Sequence, residues 1–261
     1  MVRGSGWPDE VAARLAAAGC VFAVDEAVLL REAADDDAAE LERLVADRVA
    51  GRPLEQLVGW VAFGGLRLAV GPGVFVPRIR TELLAEQALS LITGGGVAVE
   101  LCCGVAPVAA VLQRSARVSR LFAVDIDPVA VEMARRNVVD PGLVLVGDLF
   151  DPLSPDLRGR VDLIVANAPY VPTDAIARMP REARDHEPRI ALDGGADGAD
   201  LHRRIAAEAP SWLRPDGSLL IETGREQSVI TAGVLERSGL RVGIVVDDDR
   251  DATVVMGRWS P

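Results

Sequence analysis

Asn167, Ala168, Pro169 and Tyr170 stand together at the end of an apolar run, VDLIVANAPYVP, and include the only tyrosine of the chain and one of its two asparagines. Asn and Pro both punctuate structure, so the four letters alone read equally well as a strand ending in a turn. The chemistry they allow is more specific. A planar amide or aromatic amine holds its nitrogen lone pair in conjugation, so transfer of a group to that nitrogen needs neighbours that orient it and stabilise the charge it develops. Asn167 Oδ1 and the Ala168 carbonyl can each accept one N–H of such a group, working by orientation and electrostatics without a strong base. Pro169 pushes the residue before it into extended conformation and fixes the direction of its carbonyl. The Tyr170 ring can pack on the planar group.

Such a loop needs a scaffold, and the sequence predicts one. From about residue 82, helical and strand patterns alternate: TELLAEQALSLI, VAVELC, PVAAVLQRSA, RLFAVDI, PVAVEMARRNV, LVLVGDLF and then VDLIVANAPY, followed by LHRRIAAEAPSWL, SLLIETG and a last pair, LRVGIVVDD and DATVVMGRW. Strands separated by helices of this length imply crossover units and a parallel, doubly wound α/β sheet, the last pair suggesting an antiparallel edge. Upstream, residues 8 to 57 read as helices. Leu41, Leu44, Val45 and Val49 keep the 3.6-residue period, and Asp35 to Asp37 form a solvated start to that last helix. Composition shifts at Gly51-Arg52-Pro53. The stretch VGWVAFGGLRLAVGPGVFVP then reads as a hairpin, with short alternating runs broken by Gly64-Gly65 and Gly71-Pro72-Gly73.

In a doubly wound sheet the ligand sits beyond the carboxyl ends of the strands. Three acids land there: Glu100 after VAVE, Asp125 after LFAVD and Asp148 after LVLVGD. Asp125 lies 21 residues beyond Gly104, a spacing suited to accepting hydrogen bonds from the ribose hydroxyls of a nucleoside. NAD would require a G-x-G-x-x-G turn, whereas this turn is CCGVAP; S-adenosylmethionine, a nucleoside without phosphates, tolerates fewer glycines. Asp127, before Pro128, reads as a helix cap, and Asp247 to Asp249 as a solvated loop.

Composition removes other chemistries. All 28 basic residues are arginines, so a Schiff-base or P-loop lysine is excluded. Against 39 acids they leave a net charge of −11, which argues against a broad nucleic-acid surface. Cys20, Cys102 and Cys103 suit neither a disulfide framework nor a zinc site, and His186 and His202 form no metal pair. The start, MVRGSGWPDE, has no apolar h-region and no run is long enough to span a bilayer, so a cytoplasmic protein is expected.

Taken in order, RPLEQLVGWVAFGGLRLAV, GVFVPRIRTELL, ELCCG, AVDIDPVAVEMARRN, VGDLF, NAPYVP, DHEPRIALDGGADGADLHRRI and LLIETGREQ resemble the peptide chain release factor glutamine N5-methyltransferases, from about residue 8 to 259. The resemblance implies a helical substrate-recognition domain (1–57), a β-hairpin linker (58–81) and a Rossmann-like class I methyltransferase domain (82–261). It implies S-adenosyl-L-methionine as donor and a protein glutamine amide as acceptor. The family's N-P-P-Y motif falls on Asn167 to Tyr170, and an aromatic near the substrate glutamine on Phe75. Arg78, Thr81 and Glu82 match the element that borders the site, Arg78 on the substrate side and Thr81 on the cofactor side. The cofactor is then held by Glu100, Cys102, Gly104 and Ala106 from the turn, by Asp125 with Ile126 and Asp148 with Leu149, and by Asn167. The family's turn reads D-L-G-T-G-S-G; here Cys102, Val105 and Ala106 add bulk where cofactor contacts fall, and Pro107 removes one donor from the helix start.

Three other readings compete. A small-molecule amide or amine would keep the cofactor and change the acceptor. A non-catalytic binding module would explain the glycine-poor turn. Adenine N6-methylation shares an N/D-P-P-Y motif and is opposed by the net charge.

Overall fold

The computed structural model describes residues 7–92 and 94–260; residues 1–6 of the expected helical domain, and 93 and 261 of the catalytic one, lie outside the described residues. Four helices come first, α1 (Trp7–Ala17), α2 (Ala23–Ala33), α3 (Ala38–Val49) and the short α4 (Leu54–Val58). Leu15, Leu30, Leu44 and Val45 close a core among them. Of the three acids expected at the start of α3, only Asp37 caps it, its Oδ1 accepting from the backbone N–H of Ala39 and Glu40; Asp35 and Asp36 form the left-handed turn before it. Arg48, on the buried face of α3, donates to Glu26 at 2.6 Å and to Glu182 at 2.5 Å, so an ion pair joins the helices to the segment that follows the Asn-Ala-Pro-Tyr loop.

The hairpin forms from β1 (Trp60–Phe63) and β2 (Leu66–Ala69), reversed by Gly64-Gly65. It is shorter than the alternating pattern implies. Beyond Ala69 the chain runs as a loop to α5 (Thr81–Leu91), because Gly71-Pro72-Gly73 interrupts the ladder. Side chains take over the backbone groups there: Gln56 Nε2 donates to the Val74 carbonyl, and Glu187 Oε1 accepts from Val76 N–H.

The rest is a seven-stranded mixed sheet between helices. In chain order come β3 (Gly96–Leu101), α6 (Pro107–Arg114), β4 (Val118–Asp125), α7 (Pro128–Asn137), β5 (Val144–Val146), β6 (Val161–Ala166) and α8 (Arg181–His186). They are followed by α9 (Asp200–Trp212), β7 (Leu213–Glu222), α10 (Ser228–Arg237), β8 (Leu240–Asp247) and β9 (Ala252–Trp259). Spatial order is β5-β4-β3-β6-β7-β9-β8, with β9 antiparallel to both neighbours and all other pairs parallel. Alternate residues of each strand feed opposite cores. Leu163 and Val165 of β6 join α5, α6 and α7, whereas Ile164 and Ala166 join α9 and α10. Helix α10 has no counterpart in the sequence reading; its apolar residues spread to both sides, leaving Val229 and Ile230 exposed, which blurs the helical period.

Candidate active site

Because β4 and β5 lie on one side of β3 and β6 on the other, the strand order reverses between β3 and β6, and a cleft opens at that point. It encloses about 1010 Å³. The cleft brings together Phe75, Arg78, Thr81, Glu100, Cys102, Gly104, Asp125, Ile126, Asp148, Leu149 and the whole of Asn167 to Tyr170. Ala106 is the exception: it is fully buried behind the turn and does not line the cleft. His186 is also absent from the lining and sits against Gly51. His202 is buried with Nδ1 on Thr231, and burial lowers its pKa to about 4. Among the described residues no group of three ligating side chains could hold a metal.

The turn after β3 follows from one repeated conformation. Cys102, Gly104 and Ala106 all have left-handed backbone, with φ of 51°, 54° and 60°. Gly104 adopts it freely, and its N–H donates to Asp125 Oδ2 at 2.7 Å. Asp125 Oδ1 accepts from Asp127 N–H at 2.9 Å, and Asp127 in turn caps α7. Both oxygens of Glu100 accept from the start of α6, from Val108 and Ala109 N–H, so this carboxyl serves the helix first. Burial nevertheless pushes its pKa up to about 8. Burial also raises the thiol pKa values of Cys102 and Cys103, which disfavours the thiolate form of both.

Cys102 and Ala106 carry a Cβ where glycine would be unstrained, and their surroundings separate them. Cys102 is half-buried at the cleft wall, so Cys102→Gly is expected to stabilise the fold by about 1 kcal/mol as the strain is relieved. Ala106 is fully buried in an apolar cluster, and losing its methyl offsets the same relief, by about 0.8 kcal/mol. Ala106→Gly is therefore expected to be near neutral. Urea unfolding midpoints of the two variants check the contrast.

At the end of β6, Asn167 lines the cleft and its Nδ2 donates to Thr81 Oγ1 at 3.2 Å, which turns the amide oxygen away from Thr81. The loop's backbone is pinned from behind. Val171 N–H donates to Leu192, Gly194 N–H to Val171, and Gln227 Nε2 to the Tyr170 carbonyl at 2.7 Å. Arg78 lies 5.0 Å from the Phe75 ring centroid and pairs with Glu187 at 2.6 Å. Asp148 pairs with Arg204 at 2.8 Å, through Oδ2 alone. Gln227, Gly194, Gly198, Glu187 and Arg204 were not read as site residues from the sequence. Their only signal there is membership of the DHEP, DGGADGADLHRRI and GREQ stretches.

A doubly wound sheet with its switch point beside β3, an acid closing β4 and an Asn-Ala-Pro-Tyr loop after β6 define a class I methyltransferase of the S-adenosylmethionine-dependent fold. The Methyltransferase small domain family matches residues 66–186. The crystal structure of a methyltransferase from Pyrococcus furiosus superposes with a TM-score of 0.57 at 16% identity, covering 83% of this chain and 98% of that one. The release factor glutamine methyltransferase of Mycolicibacterium smegmatis is 41% identical over 204 residues, 77% of this chain and 72% of its own. That of Geobacter sulfurreducens is 34% identical over 225 residues, 85% and 78% of the two chains. The chain belongs to the release factor glutamine methyltransferase family.

Proposed function

We propose that this enzyme N5-methylates a glutamine side-chain amide in a peptide chain release factor, using S-adenosyl-L-methionine. The observation that carries the reading is the hydrogen bond from Asn167 Nδ2 to Thr81 in a residue that lines the cleft, which turns the amide oxygen away from Thr81 and leaves it available to accept. The names of the relatives that align over more than two thirds of their length support the acceptor.

The residues present fit the cofactor. Each Asp125 oxygen takes one backbone N–H and retains a lone pair for a ribose hydroxyl. Asp148 keeps Oδ1 uncommitted, Ile126 offers a half-exposed apolar side chain, and the space beside Gly104 is open. When bound, S-adenosylmethionine supplies an electrophilic methyl carbon on a sulfonium. Asn167 Oδ1 and the Ala168 carbonyl then accept the two N–H bonds of the glutamine amide and direct its lone pair. The same two oxygens would stabilise the positive charge that nitrogen gains as the methyl carbon passes from sulfur to it, the sulfur leaving as a neutral thioether and one amide proton passing to solvent. Phe75 and Tyr170 pack against the amide plane, and the helices α1 to α4 meet the protein substrate.

Mass spectrometry of release factors incubated with the enzyme and isotope-labelled cofactor is expected to place one methyl group on a glutamine. Turnover on a free small amide with none on any release factor would reject this acceptor. No heat of binding with millimolar S-adenosylmethionine would favour the non-catalytic module.

A further inference from the structure

One buried acid next to the Asn167 loop has no part in the chemistry above. Glu222 closes β7 and is 1% exposed, and its Oε2 has no hydrogen-bond partner. Its carboxyl faces the hydroxyls of Thr81 and Tyr170. Thr81 stands at the start of α5, is itself 1% exposed, and its oxygen already accepts from Asn167 Nδ2. A threonine hydroxyl has one proton to give, and an ionised carboxylate can only accept. The three groups therefore order themselves in one direction, Asn167 to Thr81 to Glu222.

We propose that Glu222 is a positioning residue for methyl transfer: its carboxylate accepts a hydrogen bond from the Thr81 hydroxyl, which commits the Thr81 oxygen's lone pairs to Asn167 Nδ2 and aims Asn167 Oδ1 at the substrate amide. The alternative orientation of Asn167 would present N–H donors to an N–H donor and abolish the alignment. The assignment rests on the amide-methylation reading for its role in catalysis, while the relay itself is a property of the folded chain.

A pH dependence follows. Burial holds the Glu222 carboxyl up at about 7, with Arg80 the cation facing it; Arg78 and Asp251 act on the Tyr170 side. Below that pH the carboxyl carries a proton and donates, the Thr81 hydroxyl turns, and the preference of the Asn167 amide is lost. The turnover number is thus expected to rise with pH through neutrality.

The chain's two asparagines make the test direct. Protein labelled with nitrogen-15 at asparagine gives two side-chain NH2 signals, from Asn137 and Asn167, assigned by the loss of one in Asn167→Asp. Asn137 donates to the Ala69 and Val105 carbonyls and serves as the internal control. The Asn167 signal is expected to move with a midpoint near 7 and the Asn137 signal to stay. Glu222→Gln removes that movement, flattens the pH profile and lowers kcat about tenfold or more, with KM for S-adenosylmethionine unchanged. Thr81→Val breaks the relay with Glu222 in place and gives the same silence, and Thr81→Ser restores the movement; should Glu222→Gln fail to fold, this pair carries the test. An Asn167 signal indifferent to pH in the natural protein, or moving identically in the variants, overturns the relay, as does a Glu222→Gln enzyme with undiminished kcat. Because the titration needs no substrate, failure of the release factor assay rejects the acceptor without touching this result.

Discussion

Asn167→Ala is expected to lower kcat by about 10²–10³-fold while leaving the affinity for S-adenosylmethionine nearly unchanged. The size is that of losing one preorganised group at a developing charge in a site shielded from water. The sparing of affinity follows from where the loop's own support lies. Val171, Gly194 and Gln227 hold its backbone through contacts that do not involve the Asn167 side chain. Asp125 is oriented by Gly104 and Asp127, also without it. Removing the amide therefore deletes an acceptor without collapsing the cleft. Single-turnover rates measured beside calorimetric titration separate the two quantities. Parallel loss of rate and cofactor affinity would mean that this side chain serves the cofactor and not the acceptor.

What could be read in advance follows from the range of the forces involved. Strand ends and helix caps are local, so the period of the apolar residues located Glu100, Asp125 and the end of β6 to within a residue or two. The left-handed backbone at Cys102 and Ala106 is local as well, yet those side chains gave no sign of it, since glycine is the residue that announces such a conformation. The contacts that make a loop into a site are long-range. Thr81 and Asn167 are 86 positions apart, Val76 and Glu187 are 111 apart, and Tyr170 and Gln227 are 57 apart. No periodicity connects such pairs; only the closing of the sheet does. Resemblance to a family supplied Phe75, Arg78 and Thr81, but not the reason that Thr81 matters, which is its position between Asn167 and Glu222.

The same long-range support gives the second large effect. Gly198→Ala is expected to cost about 2–4 kcal/mol of stability, the sum of a left-handed backbone made unfavourable and of forced overpacking. Its φ is +75°, and a Cβ there would lie 2.2 Å from the Tyr170 carbonyl oxygen and 2.1 Å from Gln227 Nε2. The side chain of Gln227 can move, but it then releases Tyr170; the carbonyl can move, but only with the loop that carries Asn167. Either way the displacement reaches the acceptor site, so kcat falls along with the unfolding midpoint. Gly159→Ala separates the two causes. Gly159 has a φ of +68° with nothing within 4 Å of its would-be Cβ, so it suffers the conformational cost alone, about 1–2 kcal/mol. Its loop precedes β6, at the amino ends of the parallel strands and so opposite the cleft. Urea unfolding and methylation rates measured on both variants should show stability falling in each and turnover falling only in Gly198→Ala. Equal turnover in the two would mean that the Asp-Gly-Gly-Ala-Asp-Gly loop does not hold Tyr170 in place during the reaction.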